Sequence, residues 1–192
     1  MGRKLARVRI IAGLHRGRSL VAPTGDATRP ITDRAKQSLF DAISPLIEDA
    51  VVFDCFCGTG SMGLECLSRG ARQAYFFDAD RSALAGLAKN IAALKVADHS
   101  TVLAGDIFRL IRGNALPPAE LIFFDPPYRF VPERPADLRE FASYCGERLA
   151  HSRTELIFRH DAADVLELPP WTTGVAKSYG SMLIERLVLP GR

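Results

Sequence analysis

The stretch Val51-Val52-Phe53-Asp54-Cys55-Phe56-Cys57-Gly58-Thr59-Gly60-Ser61-Met62-Gly63 restricts the fold more than any other part of the chain. Its apolar opening, Val51 to Phe53, has the character of a strand buried on both faces of a parallel sheet. A carboxylate, three glycines and a helix-like segment from Ser61 to Ser68 follow. That order is the ligand loop at the carboxyl end of the first strand in a doubly wound α/β fold. Glycine lets the backbone turn sharply and approach a ligand where a Cβ would obstruct it. Gly58, Gly60 and Gly63 also carry the dinucleotide spacing, so spacing alone leaves the ligand open.

Asp54 separates the alternatives. A dinucleotide lays an anionic pyrophosphate over such a loop and the following helix N-terminus, and a carboxylate just before the glycines would repel it. S-adenosylmethionine (SAM) brings a sulfonium and an ammonium instead, which a carboxylate attracts. The loop therefore reads as a SAM site in preference to an NAD site. A strand turn with glycines present only for packing is the plainer alternative, but a carboxylate at a buried strand end needs a partner.

The rest of the body alternates strand and helix. Strands are predicted at Val51–Phe56, Ala74–Phe77, Thr101–Ala104, Leu121–Phe124 and Glu155–Phe158, and helices at Ser61–Ser68, Arg81–Leu94, Ile107–Arg112 and Ala136–Leu149. Gly174–Val188 reads as two strands joined near Tyr179-Gly180, so the sheet is mostly parallel and ends in an antiparallel hairpin. Ahead of it, Leu39, Ile43, Leu46 and Ile47 recur at helical spacing; Thr32 is a good N-cap and Pro45 ends or kinks that helix.

Acids stand at the carboxyl ends of four successive strands: Asp54, Asp78, Asp106 and Asp125. Parallel strand ends form the ligand crevice, so all four should line one site. Asp78, 20 residues past Gly58, suits the two ribose hydroxyls of a nucleoside. Asp106 suits an adenine amino group, with Ile107 as an apolar wall; a helix N-cap is the equally good alternative for Asp106. Asp125-Pro126-Pro127-Tyr128 is the most specific motif. Two prolines cannot continue a central strand, and they leave the Asp125 and Pro126 carbonyls to point into the crevice. An exocyclic amine on a base is a poor nucleophile because its lone pair is delocalised. Two acceptors, the Asp125 carboxylate and the Pro126 carbonyl, would hold both N–H groups and aim the lone pair at a methyl group, while Tyr128 stacks on the base. A proline-rich turn capping a strand is the alternative.

The charge is uneven. Residues 1–36 carry nine Lys/Arg against two acids, a charge of +7, and the remainder carries −4. A cationic arm on a mildly anionic body suits a nucleic acid partner; a solvated basic tail is the alternative. Arg7-Val8-Arg9-Ile10 alternates like a strand, and Arg16, Arg18 and Leu20 share one parity of a second, which predicts a small β-hairpin displaying arginines. Residues 1–30 thus read as an arm and linker, and 31–192 as one domain. The 192 residues, 47% of them apolar, suffice for one core. No apolar run reaches the ~18 residues of a membrane span, and the start lacks the compact apolar core of a secretory signal. Its Arg-rich, acid-poor character also admits an organelle transit peptide, the lesser alternative. Cys55, Cys57, Cys66 and Cys145 form no Cys-x-x-Cys pair, so reduced cysteines in a cytoplasmic protein without a metal are expected.

With these residues assembled, the chain resembles the bacterial methyltransferases that form N2-methylguanosine in small-subunit (16S) ribosomal RNA. Asp125-Pro126-Pro127-Tyr128 is similar to the Asn/Asp-Pro-Pro-aromatic motif of amino methyltransferases acting on nucleic acids. Arg9-Ile10-Ile11-Ala12-Gly13, Arg16-Gly17-Arg18, Arg29-Pro30-Ile31-Thr32-Asp33-Arg34 and Asp54 to Gly60 carry the narrower likeness. Cys57 stands where a small residue such as Ala is common, and Tyr128 where Phe is also common. The resemblance implies a Rossmann-like SAM-dependent methyltransferase fold, with SAM converted to S-adenosylhomocysteine. It implies SAM contacts from Asp54, Cys57, Gly58, Gly60, Asp78, Asp106 and Ile107, with Thr32 near the methionine end. It also implies a monomer that meets the assembled or assembling small subunit through Arg7, Arg9, Arg16, Arg18, Arg29 and Arg34. An adenine-N6 methyltransferase on DNA or another RNA stays open, as does a non-enzymatic SAM sensor with a docking arm.

Overall fold

A computed structural model gives the structure of the chain and describes residues 8–21 and 31–191. Seven strands form one sheet: β1 Val51–Cys55, β2 Gln73–Asp78, β3 Ser100–Ala104, β4 Leu121–Phe124, β5 Glu155–Asp161, β6 Thr172–Tyr179 and β7 Met182–Val188. Their order is β3-β2-β1-β4-β5-β7-β6. The first five are parallel, and β7 runs antiparallel between β5 and β6. This is the expected mostly parallel sheet with a terminal antiparallel hairpin, and its strand order reverses between β1 and β4.

The helices are α1 Asp33–Ile43, α2 Ser61–Ser68, α3 Arg81–Leu94, α4 Ile107–Gly113, α5 Phe130–Glu133 and α6 Pro135–Tyr144. Thr32 caps α1 by accepting from the Ala35 amide, and Pro45 sits in the 3-10 turn that follows it. The single helix expected over 136–149 is split: α6 ends at Tyr144 and widens into a π turn, Cys145–Leu149. The short α5 was not anticipated, because two prolines and a tyrosine precede it without periodicity.

β1 and β4 are buried on every residue, which is why each reads as an unbroken apolar run. One face packs on α4 and α6 through Phe53, Phe77, Phe124, Phe141 and Phe158; the other packs α1 through Leu39, Phe40 and Ile43 against Val52, Leu121 and Phe123. All four cysteines are buried and free, and burial pushes each thiol above its ordinary range.

The arm is a hairpin, as expected, but a minimal one. Its two segments meet in one antiparallel bridge, Arg9 with Ser19. The Ile10 amide donates to the Arg18 carbonyl at 2.9 Å, and the Leu20 amide to the Val8 carbonyl at 2.8 Å. The turn between them is fastened to α2, not to a longer strand: the Leu14 amide donates to the Ser68 carbonyl at 2.7 Å. Ile10 and Leu20 are buried with Leu64, Leu87 and Ile91. Of the arm and linker expected over 1–30, residues 1–7 and 22–30 lie outside the described residues. Among the described residues, no helix is long and apolar enough to cross a membrane.

Candidate functional site

The glycine loop is held from four sides. The Asp78 carboxylate accepts the Gly58 amide at 2.7 Å, and the Asp54 carboxylate accepts the Gly63 amide at 2.8 Å. Asn90 on α3 donates to the Thr59 carbonyl at 3.1 Å, and Lys36 on α1 donates to the Ser61 hydroxyl at 3.1 Å. The glycines differ in purpose. A Cβ on Gly60 would come within 2.4 Å of Leu87, so its absence lets the loop pack on α3. A Cβ on Gly58 (φ +53°) would meet nothing within 4 Å, so that glycine leaves open space over the loop.

Of the four acids, Asp78 and Asp125 are half-buried, Asp106 is exposed and Asp54 is buried. Asp78 ends β2 half-buried, with its second oxygen on the Asp80 amide at 2.9 Å. Asp106 is exposed and caps α4 through the Phe108 amide at 3.0 Å, which realises the N-cap alternative without removing its outer oxygen from solvent. Asp54 is buried, contrary to expectation: its carboxylate lies beneath the loop on the Gly63 amide, where it fixes the start of α2. Burial pushes its carboxyl up to about 7; Asp125 and Asp78 add to the rise, and the Gly63 amide and Lys36 oppose it. Ile107, the first residue of α4, is 3% exposed in the core, and Cys57 packs beside Ile10 and Leu64. The parity of a short helix and of a turn is not fixed by sequence, and here both side chains turn inward. Thr32 is exposed, with its hydroxyl given to the α1 cap.

Asp125 leaves β4 beside the loop, and its carboxylate is forked by Arg159 of β5, a residue the sequence reading missed. Arg159 Nε and Nη2 donate to the two carboxylate oxygens at 2.6 and 2.5 Å, with the side chains 13% and 22% exposed. The parallel register pairs Phe124 with Phe158, so the next residue on each strand falls side by side. Burial works against the Arg159 charge, but Asp125, with Tyr128 and Asp54, holds the guanidinium above its usual range. Ile31, Leu39, Met62, Ile157 and Ile184 surround the pair. Tyr128 is half-buried, and the carbonyls of Pro127 and Tyr128 accept amides that start α5.

The arm joins the loop through buried charge. Lys36 and Glu65 are 2% and 0% exposed and form an ion pair at 2.9 Å. The Glu65 carboxylate also accepts the Ile11 and Ala12 amides at 2.8 and 2.9 Å and pairs with Arg69 at 2.9 Å. Lys36 donates to the Arg9 carbonyl at 3.1 Å. Of the arginines expected to display charge, Arg16, Arg18 and Arg34 are exposed, and Arg18 reaches the Ala93 carbonyl at 3.1 Å. Arg9 is exposed but paired with Asp33 at 2.7 Å. Arg7 and Arg29 lie outside the described residues.

Known proteins are similar to this chain in sequence and fold. The ribosomal RNA small subunit methyltransferase D of Escherichia coli is 40% identical over 123 residues, which cover 64% of this chain and 61% of that protein. The protein of the same name from Haemophilus influenzae is 36% identical over 125 residues, covering 64% and 65%. The aligned part therefore spans less than two thirds of either relative. Among solved structures, Escherichia coli yhhF superposes with a TM-score of 0.83 at 29% identity, over 97% of this chain and 99% of that one. The model of one family, conserved hypothetical protein 95, matches residues 8–183, from the docked arm through Asp54, Asp125 and Arg159 into β7, and the chain belongs to that family.

Proposed function

We propose that the protein is a SAM-dependent methyltransferase that places a methyl group on the exocyclic N2 amine of a guanine in small-subunit ribosomal RNA. The observation that carries the reading is Asp125-Pro126-Pro127-Tyr128 at the end of β4, beside a glycine loop on the neighbouring β1. The names of the Escherichia coli and Haemophilus relatives support it. What supports SAM here is the open space at Gly58 and the carboxylates of half-buried Asp78 and exposed Asp106, which we assign to the ribose and the adenine amine. SAM supplies a methyl group already activated on sulfur. Asp125 and the Pro126 carbonyl accept the two N–H groups of the target amine, and Tyr128 stacks on its base. The amine must lie about 3 Å from the methyl carbon in line with the bond that breaks. One amine proton leaves to water as the nitrogen–carbon bond forms. We read the protein as a cytoplasmic monomer, with the arm as its RNA-facing element.

Deleting the gene should remove one N2-methylguanosine from small-subunit RNA in nucleoside analysis, and the wild-type gene should restore it. Loss of an N6-methyladenosine instead would favour the adenine reading, and an unchanged nucleoside profile would oppose an RNA methyltransferase. In calorimetry, SAM should bind, and Asp78→Ala should weaken it by about 1.5–3 kcal/mol, the scale for hydrogen bonds that involve a charged group. Tight NAD binding without a SAM signal would overturn the cofactor assignment.

Arg16 and Arg18 test the arm without touching its buried residues. If about four to six basic residues meet phosphates, log K for RNA should fall against log salt with a slope near −3 to −4. Arg16→Gln with Arg18→Gln should shallow the slope by about 1.5 and leave SAM affinity unchanged. An unchanged slope would make these two arginines bystanders.

A further inference from the structure

The exposed tip of the arm lies far from the crevice. Parallel strands put the crevice at their carboxyl ends, and α2 and α3 leave that end and run back along the sheet. The tip is fastened where these helices finish. The Leu14 amide donates to the Ser68 carbonyl at 2.7 Å and the His15 amide to the Ser68 hydroxyl at 2.9 Å, on the last residue of α2. A Cβ on Gly13 (φ +79°) would come 1.8 Å from the Ser68 carbonyl oxygen, so the turn sits directly on the helix end. Arg18 Nη2 donates to the Ala93 carbonyl at 3.1 Å, one residue before α3 ends. At a rise of about 1.5 Å per residue, Ala93 lies about 18 Å along α3 from its start just past Asp78.

What this end presents is cationic. Leu14 is 86% exposed, and Arg16, Arg18 and Ser19 are exposed around it. Lys89 stands one helical turn before Ala93 and Lys95 just after it, both exposed. The helix α3 itself carries no Asp or Glu. The partial negative charge of a helix end would favour Arg18 and Lys95 by itself, but Lys89 and Arg16 extend the positive field past that end. Arginine, lysine and serine hold phosphates and 2′-hydroxyls, which base-paired RNA displays, whereas unpaired bases are held by stacking on rings. None of these exposed side chains carries a ring. Resting on the methyltransferase reading, we infer that the arm tip and the adjoining end of α3 form a second RNA surface, remote from the crevice, that holds a base-paired segment flanking the target guanine. Because the turn is already fastened, contact orders little further backbone. The surface anchors the substrate and takes no part in methyl transfer.

All four native cysteines are buried, so a single surface cysteine can carry a tethered iron–EDTA probe. Leu14→Cys places the probe at the tip, and Ala163→Cys, in the exposed turn after β5, places it at the crevice end. Each labelled variant is bound to small subunits from a deletion strain, and hydroxyl-radical cleavage of the RNA is mapped. From position 163 cleavage should centre on the target guanine. From position 14 it should fall on both strands of a neighbouring helix and spare the guanine. Separately, Lys89→Gln with Lys95→Gln should shallow the slope of log K for subunits against log salt by about 1.5–2, at about 0.9 per phosphate of a duplex. The same variant should keep wild-type kcat at saturating subunits, since only uniform binding is lost. Binding of S-adenosylhomocysteine serves as the folding check; should Leu14→Cys fail it, the lysine pair decides. No cleavage from position 14, cleavage confined to unpaired RNA or to a ribosomal protein, or an unchanged slope in the lysine pair overturns the inference while the function stands. Wild type that forms no N2-methylguanosine in these subunits overturns the function itself.

Discussion

Asp125→Ala should cut single-turnover methylation by on the order of 10²–10⁴ at saturating SAM. In the proposed mechanism the alanine removes the acceptor that orients the amine and the negative charge that offsets the positive charge developing on nitrogen. It also leaves the Arg159 guanidinium, 13% exposed, without its carboxylate. The assay therefore belongs well below the melting temperature of the variant. Asp125→Asn keeps one acceptor oxygen but breaks the fork and should fall between alanine and wild type. SAM affinity should barely move in either variant, because the carboxylate is paired with Arg159 and the proposed mechanism gives it to the base, not to the cofactor. Wild-type turnover in Asp125→Ala would end the mechanism. A large loss of SAM affinity would instead move Asp125 into the cofactor site.

The largest stability effect is expected at Glu65, which no catalytic argument involves. Glu65→Ala leaves Lys36 buried without its partner, strips Arg69 of its ion pair and takes the acceptor from the Ile11 and Ala12 amides. Breaking a buried pair by removing one member costs about 3–5 kcal/mol. For a chain of this size each kcal/mol moves the midpoint by about 2–4 °C, so a fall of about 6–20 °C is expected in a thermal melt. Burial works against the Glu65 charge, but Lys36, the Ile11 amide and Arg69 hold its carboxyl below the ordinary range. Its contribution is thus present above the ordinary carboxylate range and is lost only as pH falls through the lowered value. Glu65→Gln keeps an acceptor for one amide and should lose less. A melting point within 2 °C of wild type in Glu65→Ala would show that the Glu65 contacts add little beyond the packing of Ile10 and Leu20 and the Leu14–Ser68 hydrogen bond.

The readings that held from sequence rest on local rules. β1 and β4 are apolar on every residue because they are buried on both faces, and α2 and α3 match their expected spans because a glycine turn and Asp80 start them. Thr32 caps α1 as its side chain allows. Asp78 ends β2 and Asp106 caps α4 just past β3, positions that follow from the alternation of strand and helix. Boundaries faltered at α5 and after Tyr144, where no periodicity marks the turns.

What the tertiary structure decided is which charges meet. Nothing near Arg159 in sequence points to Asp125, 34 residues away; the β4–β5 register joins them. Lys36 and Glu65 each resemble a solvated helix charge, yet the arm folds over α1 and α2 and buries both. Asp54 looks like a ligand carboxylate in sequence and is consumed by the Gly63 amide, since a carboxylate sealed beneath the loop must accept the donor within reach. Sequence by itself determined the sheet, the glycine loop and the Asp-Pro-Pro-Tyr motif, because burial patterns and turn chemistry act over a few residues. Lys36 and Glu65 stand 29 residues apart in sequence and Asp125 and Arg159 stand 34 apart, separations that only the packed fold closes.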